Sequence, residues 1–101
     1  MSEYDQRQYQ RMQEGIATFE KGIIDLQHLI SNLKALLSAL ESTSELWKQK
    51  FRNEWWTLEQ VYASNLGDTE LTQRDNQMIA EALKNIKGML ASVIITQPES
   101  D

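Results

Sequence analysis

Residues 9–40 read YQRMQEGIATFEKGIIDLQHLISNLKALLSAL. Apolar side chains recur at Tyr9, Met12, Ile16, Phe19, Ile23, Leu26, Ile30, Leu33, Leu37 and Leu40, in steps of three and four. That spacing keeps them on one side of an α-helix, whereas a half-buried strand would alternate every second residue. No proline interrupts residues 3–41, so the pattern predicts one long helix over about 3–41 with a heptad seam. Tyr9, Ile16, Ile23, Ile30 and Leu37 take position a; Met12, Phe19, Leu26, Leu33 and Leu40 take position d.

Two further helices follow. Glu41-Ser42-Thr43-Ser44 breaks the pattern, and Ser44 or Thr43 can cap a helix over about 44–66 with the stripe Trp47, Phe51, Trp55, Leu58 and Tyr62. Gly67 ends it. Thr69 or Thr72 then opens a helix over about 70–95, Thr72 with Asp75 as an imperfect capping box, and with the stripe Ile79, Leu83, Ile86, Leu90 and Val93. Val93-Ile94-Ile95-Thr96 is the one β-prone run and reads as the buried end of that helix; residues 96–101 form a polar tail. The expected fold is all-α, a single three-helix bundle of one long and two shorter antiparallel helices.

The lengths do not match. Two helices of roughly 35 Å leave the first four turns of a helix of roughly 58 Å uncovered. The seam also changes there: the flanking g positions are Leu29 and Leu36 in the second half but Gly15 and Gly22 in the first. A narrow seam at Tyr9, Met12, Ile16 and Phe19 fits one partner helix, so the bundle is completed either by another chain, such as a second copy, or by a kink near Gly15.

Composition limits function. The chain has 101 residues, with 15 acidic against 10 basic side chains and a net charge of -5. This argues against nucleic acid or an anionic membrane as partner and for a basic protein surface. There is no cysteine, no signal-like opening and no apolar run of membrane-spanning length, which reads as a cytoplasmic chain. The one histidine, His28, has Asp25 three residues before it, which makes neither a metal site nor a general-base constellation. No phosphate loop or nucleophile–base pair can be drawn. The expectation is a non-enzymatic protein without cofactor or metal.

The tryptophan pair supplies the candidate binding residue. At about 100° per residue Trp55 lies near the stripe, while Trp56 falls about 180° from Trp47. Arg52, Glu59, Gln60 and Ala63 surround Trp56, a composition typical of a binding hot spot. The competing reading makes Trp56 a shoulder of the core, with its indole N–H at the rim.

Trp47, Phe51 and Trp55, then Leu58, Glu59, Tyr62 and Ala63, then Thr69, Glu70, Leu71 and Thr72 form an outline within residues 33–90. It resembles the small helical immunity proteins encoded beside polymorphic or contact-dependent growth-inhibition toxins of bacteria. Most of these positions are core or capping residues, so the resemblance speaks more to fold than to function. It implies an immunity protein that binds and neutralises a cognate toxin, such as a nuclease with a basic surface. Acidic side chains would then face the toxin: Glu54 and Glu59 beside Trp56, Asp68, Glu70 and Asp75 at the second turn, and Glu14, Glu20 and Asp25 on the first helix. A charged helix face is more often simply solvated. The rival reading is a secretion chaperone or a structural coiled-coil adaptor, since Ile at a and Leu at d favour a parallel two-stranded assembly.

Overall fold

The computed structural model describes residues 3–65 and 71–94. They form four helices: α1 (Glu3–Glu20), α2 (Leu26–Ala39), α3 (Glu45–Ser64) and α4 (Gln73–Val93), with no strand among the described residues. The all-α expectation holds, and the number of helices is corrected from three to four.

The long first helix is two. At the end of α1 the Gly22 N–H donates to Phe19 O at 2.9 Å and the Ile23 N–H to Thr18 O at 3.1 Å. This pair of bonds is a Schellman motif, which needs a left-handed residue between the two donors' partners and the next turn. Gly22 provides it, with φ +78°. Three residues later Asp25 caps α2, its carboxylate accepting from the His28 N–H at 2.8 Å. The apolar stripe runs across this break, yet Ile23, assigned to position a, is 71 % exposed. The kink expected near Gly15 is absent, because Gly15 lies inside the continuous α1. Its missing side chain leaves room for a neighbour: a Cβ there would sit 2.8 Å from Asn32 Nδ2 on α2, so the Asn32 amide lies directly over Gly15.

The other caps match the sequence reading more closely. Ser44 caps α3, its Oγ accepting from the Trp47 N–H at 3.2 Å. Thr72 caps α4 through a full capping box: Thr72 Oγ1 accepts from the Asp75 N–H at 3.1 Å, and Asp75 Oδ2 accepts from the Thr72 N–H at 3.3 Å. Asn65, the C-cap of α3, donates from Nδ2 to both Val61 O at 2.8 Å and Asp75 Oδ2 at 3.0 Å. One amide thus ties the end of α3 to the start of α4. Gly67, assigned as the terminator of that helix, lies outside the described residues. Of the β-prone run, Val93 ends α4 and Ile94 is its half-buried C-cap; Ile95 and Thr96 are outside the description.

Short connections make successive helices antiparallel. Among the described residues each helix packs on its two neighbours in a ring, α1 with α2, α2 with α3, α3 with α4 and α4 with α1; the diagonal pairs do not approach within 8 Å between Cα atoms. Tyr9, Met12 and Ile16 enter the same core as Leu29, Leu33, Phe51, Leu58, Ile86 and Leu90. The seam read as bare is therefore filled from within the chain. Gly22 folds α1 back along α2, and α1 closes the ring against α4, where Gln6 Nε2 donates to Val93 O at 2.8 Å and Lys87 pairs with Glu20 at 2.7 Å.

A buried carboxylate locks one end of this bundle. Asp5 on α1 is fully buried and accepts from the Glu41 N–H at 3.0 Å, the Ser42 N–H at 2.8 Å and the Thr43 hydroxyl at 2.8 Å. Since Thr43 gives its proton to Asp5, the Tyr9 hydroxyl is the donor in the hydrogen bond between Tyr9 and Thr43. Burial pushes the Tyr9 phenol above its ordinary value, and the nearby Asp5 charge adds to this.

Candidate partner-binding surface

The rotation of α3 about its axis decides which side chains face outward, and three aromatic contacts set it. Trp47 packs against Tyr9 of α1 with ring centroids 5.3 Å apart, and also stacks on Phe51 at 5.3 Å. Its indole N–H points to Met89 O of α4 at 3.4 Å. Trp55 donates from Nε1 to Ile30 O of α2 at 3.0 Å, with Lys34 Nζ 6.0 Å from its ring centroid. Helix α3 is thus held by aromatic residues to each of the other three helices. Phe51, Leu58 and Val61 are buried along the same side.

Trp56 consequently points to solvent and is 54 % exposed. Arg52, Gln60 and Ala63 are exposed with it, and Glu59 is half-buried. Steps of three, four and seven residues along the helix make these five side chains neighbours on one face. A large rigid ring set among mixed polar groups supplies apolar contact area at small entropic loss on binding, since Trp has two rotatable side-chain bonds. This patch can recognise a protein surface; it contains no arrangement for bond-making chemistry.

The remaining candidates separate from it. Glu54 lies about 160° around the helix from Trp56 and accepts from Asn85 Nδ2 of α4 at 3.1 Å. It faces α4 rather than bordering the tryptophan. Asp75 is a capping residue whose carboxylate is held by Thr72 and Asn65. The Thr72 hydrogen bond draws its pKa below the ordinary carboxylate value; desolvation opposes this, and the bonds from Asn65 and the Thr72 backbone reinforce it. Glu20 is paired with Lys87 and Asp25 caps α2. Asp68 and Glu70 lie outside the described residues.

The proposed seam is corrected in the same way. Tyr9 and Met12 are 0 % exposed and Ile16 1 %, and Phe19 is half-buried against the same core. These residues pack on α2 and its neighbours, so they no longer argue for a second chain or for a coiled-coil adaptor. The dimer expectation loses its structural basis there.

His28 is exposed, and its backbone N–H, rather than its ring, meets Asp25. Among the described residues no group of three His, Cys, Asp or Glu side chains is placed to hold a metal ion, and no helix is long and apolar enough to cross a membrane. Sequence reasoning overlooked Asp5, whose partners lie more than thirty positions away and leave no local periodic signal. It also overlooked Gly88, although a glycine inside an amphipathic helix is a legible irregularity. No family model, curated protein or solved structure matches the chain.

Proposed function

We propose that this protein is a non-enzymatic binding module that engages another protein through the outer face of α3, with Trp56 as anchor. The observation that carries the reading is the 54 % exposure of Trp56 on a helix whose rotation is fixed by Trp47 and Trp55. An exposed tryptophan on a rigid helix is already in its binding geometry, so little ordering entropy opposes association. Arg52, Glu59 and Gln60 supply polar contacts around it. A net charge of -5 favours a partner with a basic surface and speeds its approach at low ionic strength.

In its most specific form, the module is an immunity protein that binds and neutralises a toxin domain, for example a nuclease whose cleft is basic. Support for this comes from the resemblance in residues 33–90 and from the absence of any need for chemistry in such a role. The test is co-expression with the toxin-like gene nearest to this one. Wild-type protein should restore growth, and Trp56→Ala should weaken the complex by about 2 kcal/mol or more and lose protection. Full protection by Trp56→Ala, with unchanged affinity, would remove α3 from the interface.

A further inference from the structure

The side of α3 turned toward α4 carries a second surface of different character. Lys50 and Glu54 of α3 and Lys84, Asn85, Gly88 and Met89 of α4 contribute to the lining of a groove of ≈ 540 Å³. Gly88 is part of that lining, and no close neighbour requires a glycine there. It lies within α4, and a Cβ built there would meet nothing within 4 Å. Gly15 lies under the Asn32 amide and Gly22 has a positive φ, so each glycine has a local reason. Gly88 has neither, and glycine inside a helix is destabilising relative to alanine. What it provides is open space beside the Met89 side chain, a polarizable surface that adapts to an apolar group.

The walls carry an unbalanced charge. Lys48 and Lys87 pair with Glu45 and Glu20, but among the described residues Lys50 and Lys84 form no ion pair. The carboxylate in the groove, Glu54, is engaged by the amide of Asn85 instead. Two unpaired cations therefore share the lining with Gly88 and Met89 on a chain of net charge -5. We propose that this groove docks an acidic amphipathic helix of a partner protein, one apolar side chain of which sits over Gly88 against Met89 while its carboxylates pair with Lys50 and Lys84. A nucleic-acid backbone fits less well, because its phosphates could pair with Lys50 and Lys84 but bring no apolar side chain to sit over Gly88 against Met89. The proposal is independent of the Trp56 face.

The probe is a synthetic helical peptide with a Leu/Phe stripe flanked by glutamates, together with a twin in which lysines replace the glutamates. Both are titrated into the isotope-labelled full chain and followed by amide resonances. The acidic peptide should shift Lys50, Lys84, Gly88 and Met89 and bind more tightly than its twin. Lys50→Glu/Lys84→Glu should weaken the acidic peptide about tenfold or more and recover binding of the lysine peptide. Gly88→Leu, which projects into open space and should keep the helical circular dichroism, should weaken the acidic peptide to a similar degree. Trp56→Ala should leave its affinity unchanged, which separates this groove from the α3 face. Equal affinity for the two peptides, shifts centred elsewhere, or an unaltered affinity in folded Gly88→Leu would overturn the proposal. So would tighter binding of a single-stranded oligonucleotide, or a dimer of the chain alone that Lys50→Glu/Lys84→Glu dissociates.

Discussion

Asp5 Oδ2 accepts a hydrogen bond from the Ser42 N–H at 2.8 Å, joining the first turn of α1 to the loop between α2 and α3 across 37 positions of sequence. Together with the Glu41 N–H and the Thr43 hydroxyl, that loop offers three donors to one carboxylate. Removing the acceptor leaves all three without their partner. Asp5→Ala should lower unfolding free energy in urea by about 3 kcal/mol or more, and Asp5→Asn, which keeps one acceptor oxygen, by about 2 kcal/mol. Wild-type stability in both variants would show that water replaces the carboxylate at no loss.

Two glycines should respond in opposite directions. Gly22 has φ +78°, so Gly22→Ala should destabilise by about 1 to 2 kcal/mol. Gly88 sits in regular helix with open space above it, and Gly88→Ala should stabilise by about 1 kcal/mol. Thermal melts of the pair decide both assignments at once.

The neighbouring tryptophans should separate stability from surface. Trp55→Ala removes packing and the hydrogen bond to Ile30 O. Because Trp55 is half-buried, the expected loss is about 2 to 4 kcal/mol, toward the low end for aromatic truncation. Trp56→Ala should change the melting free energy by no more than about 0.5 kcal/mol. Equal destabilisation would make Trp56 a shoulder of the core.

Ile16 is 1 % exposed inside the four-helix core. Ile16→Asp buries a charge with no partner and should abolish the cooperative melt, at a loss of more than about 4 kcal/mol. Circular dichroism and sedimentation distinguish this from the alternative: a variant that stays helical and merely dissociates would return Ile16 to an intermolecular seam.

Titration should trim stability at both extremes of pH. The folded Asp75 pKa lies below its ordinary value, so its contribution is present above the unfolded pKa and is lost as pH falls through the folded one. Asp75→Asn should flatten that part of the acid limb. Tyr9 behaves in the opposite sense: its folded pKa is raised, so its contribution is present below the unfolded value of 10.0 and is lost as pH rises through the folded pKa. Tyr9→Phe should remove this alkaline loss, read as melting temperature against pH; an unchanged alkaline slope would exclude Tyr9 as its source.

Local chemistry carried much of this fold into the sequence. The three-and-four spacing of Met12, Ile16, Leu33, Leu37, Ile79, Leu83 and Ile86 identifies helices and their inner faces, because helical period is a property of the backbone. Ser44 and Thr72 mark helix starts, because a cap needs only the next three residues. Trp56 falls opposite Trp47 by rotation alone. The break at Gly22 was also local, with glycine at C′ and Asp25 as the next N-cap, but Phe19, Ile23 and Leu26 kept the helical spacing through it and hid it. Tertiary structure decided the rest. It filled the seam of Tyr9, Met12 and Ile16 from within the chain, drew Asp5 to a loop more than thirty positions away, and set Glu54 against Asn85 rather than beside Trp56. The reason is physical: periodicity says that a face must be covered, whereas which surface covers it depends on where the turns return the chain, and long-range pairing leaves no repeat along the sequence.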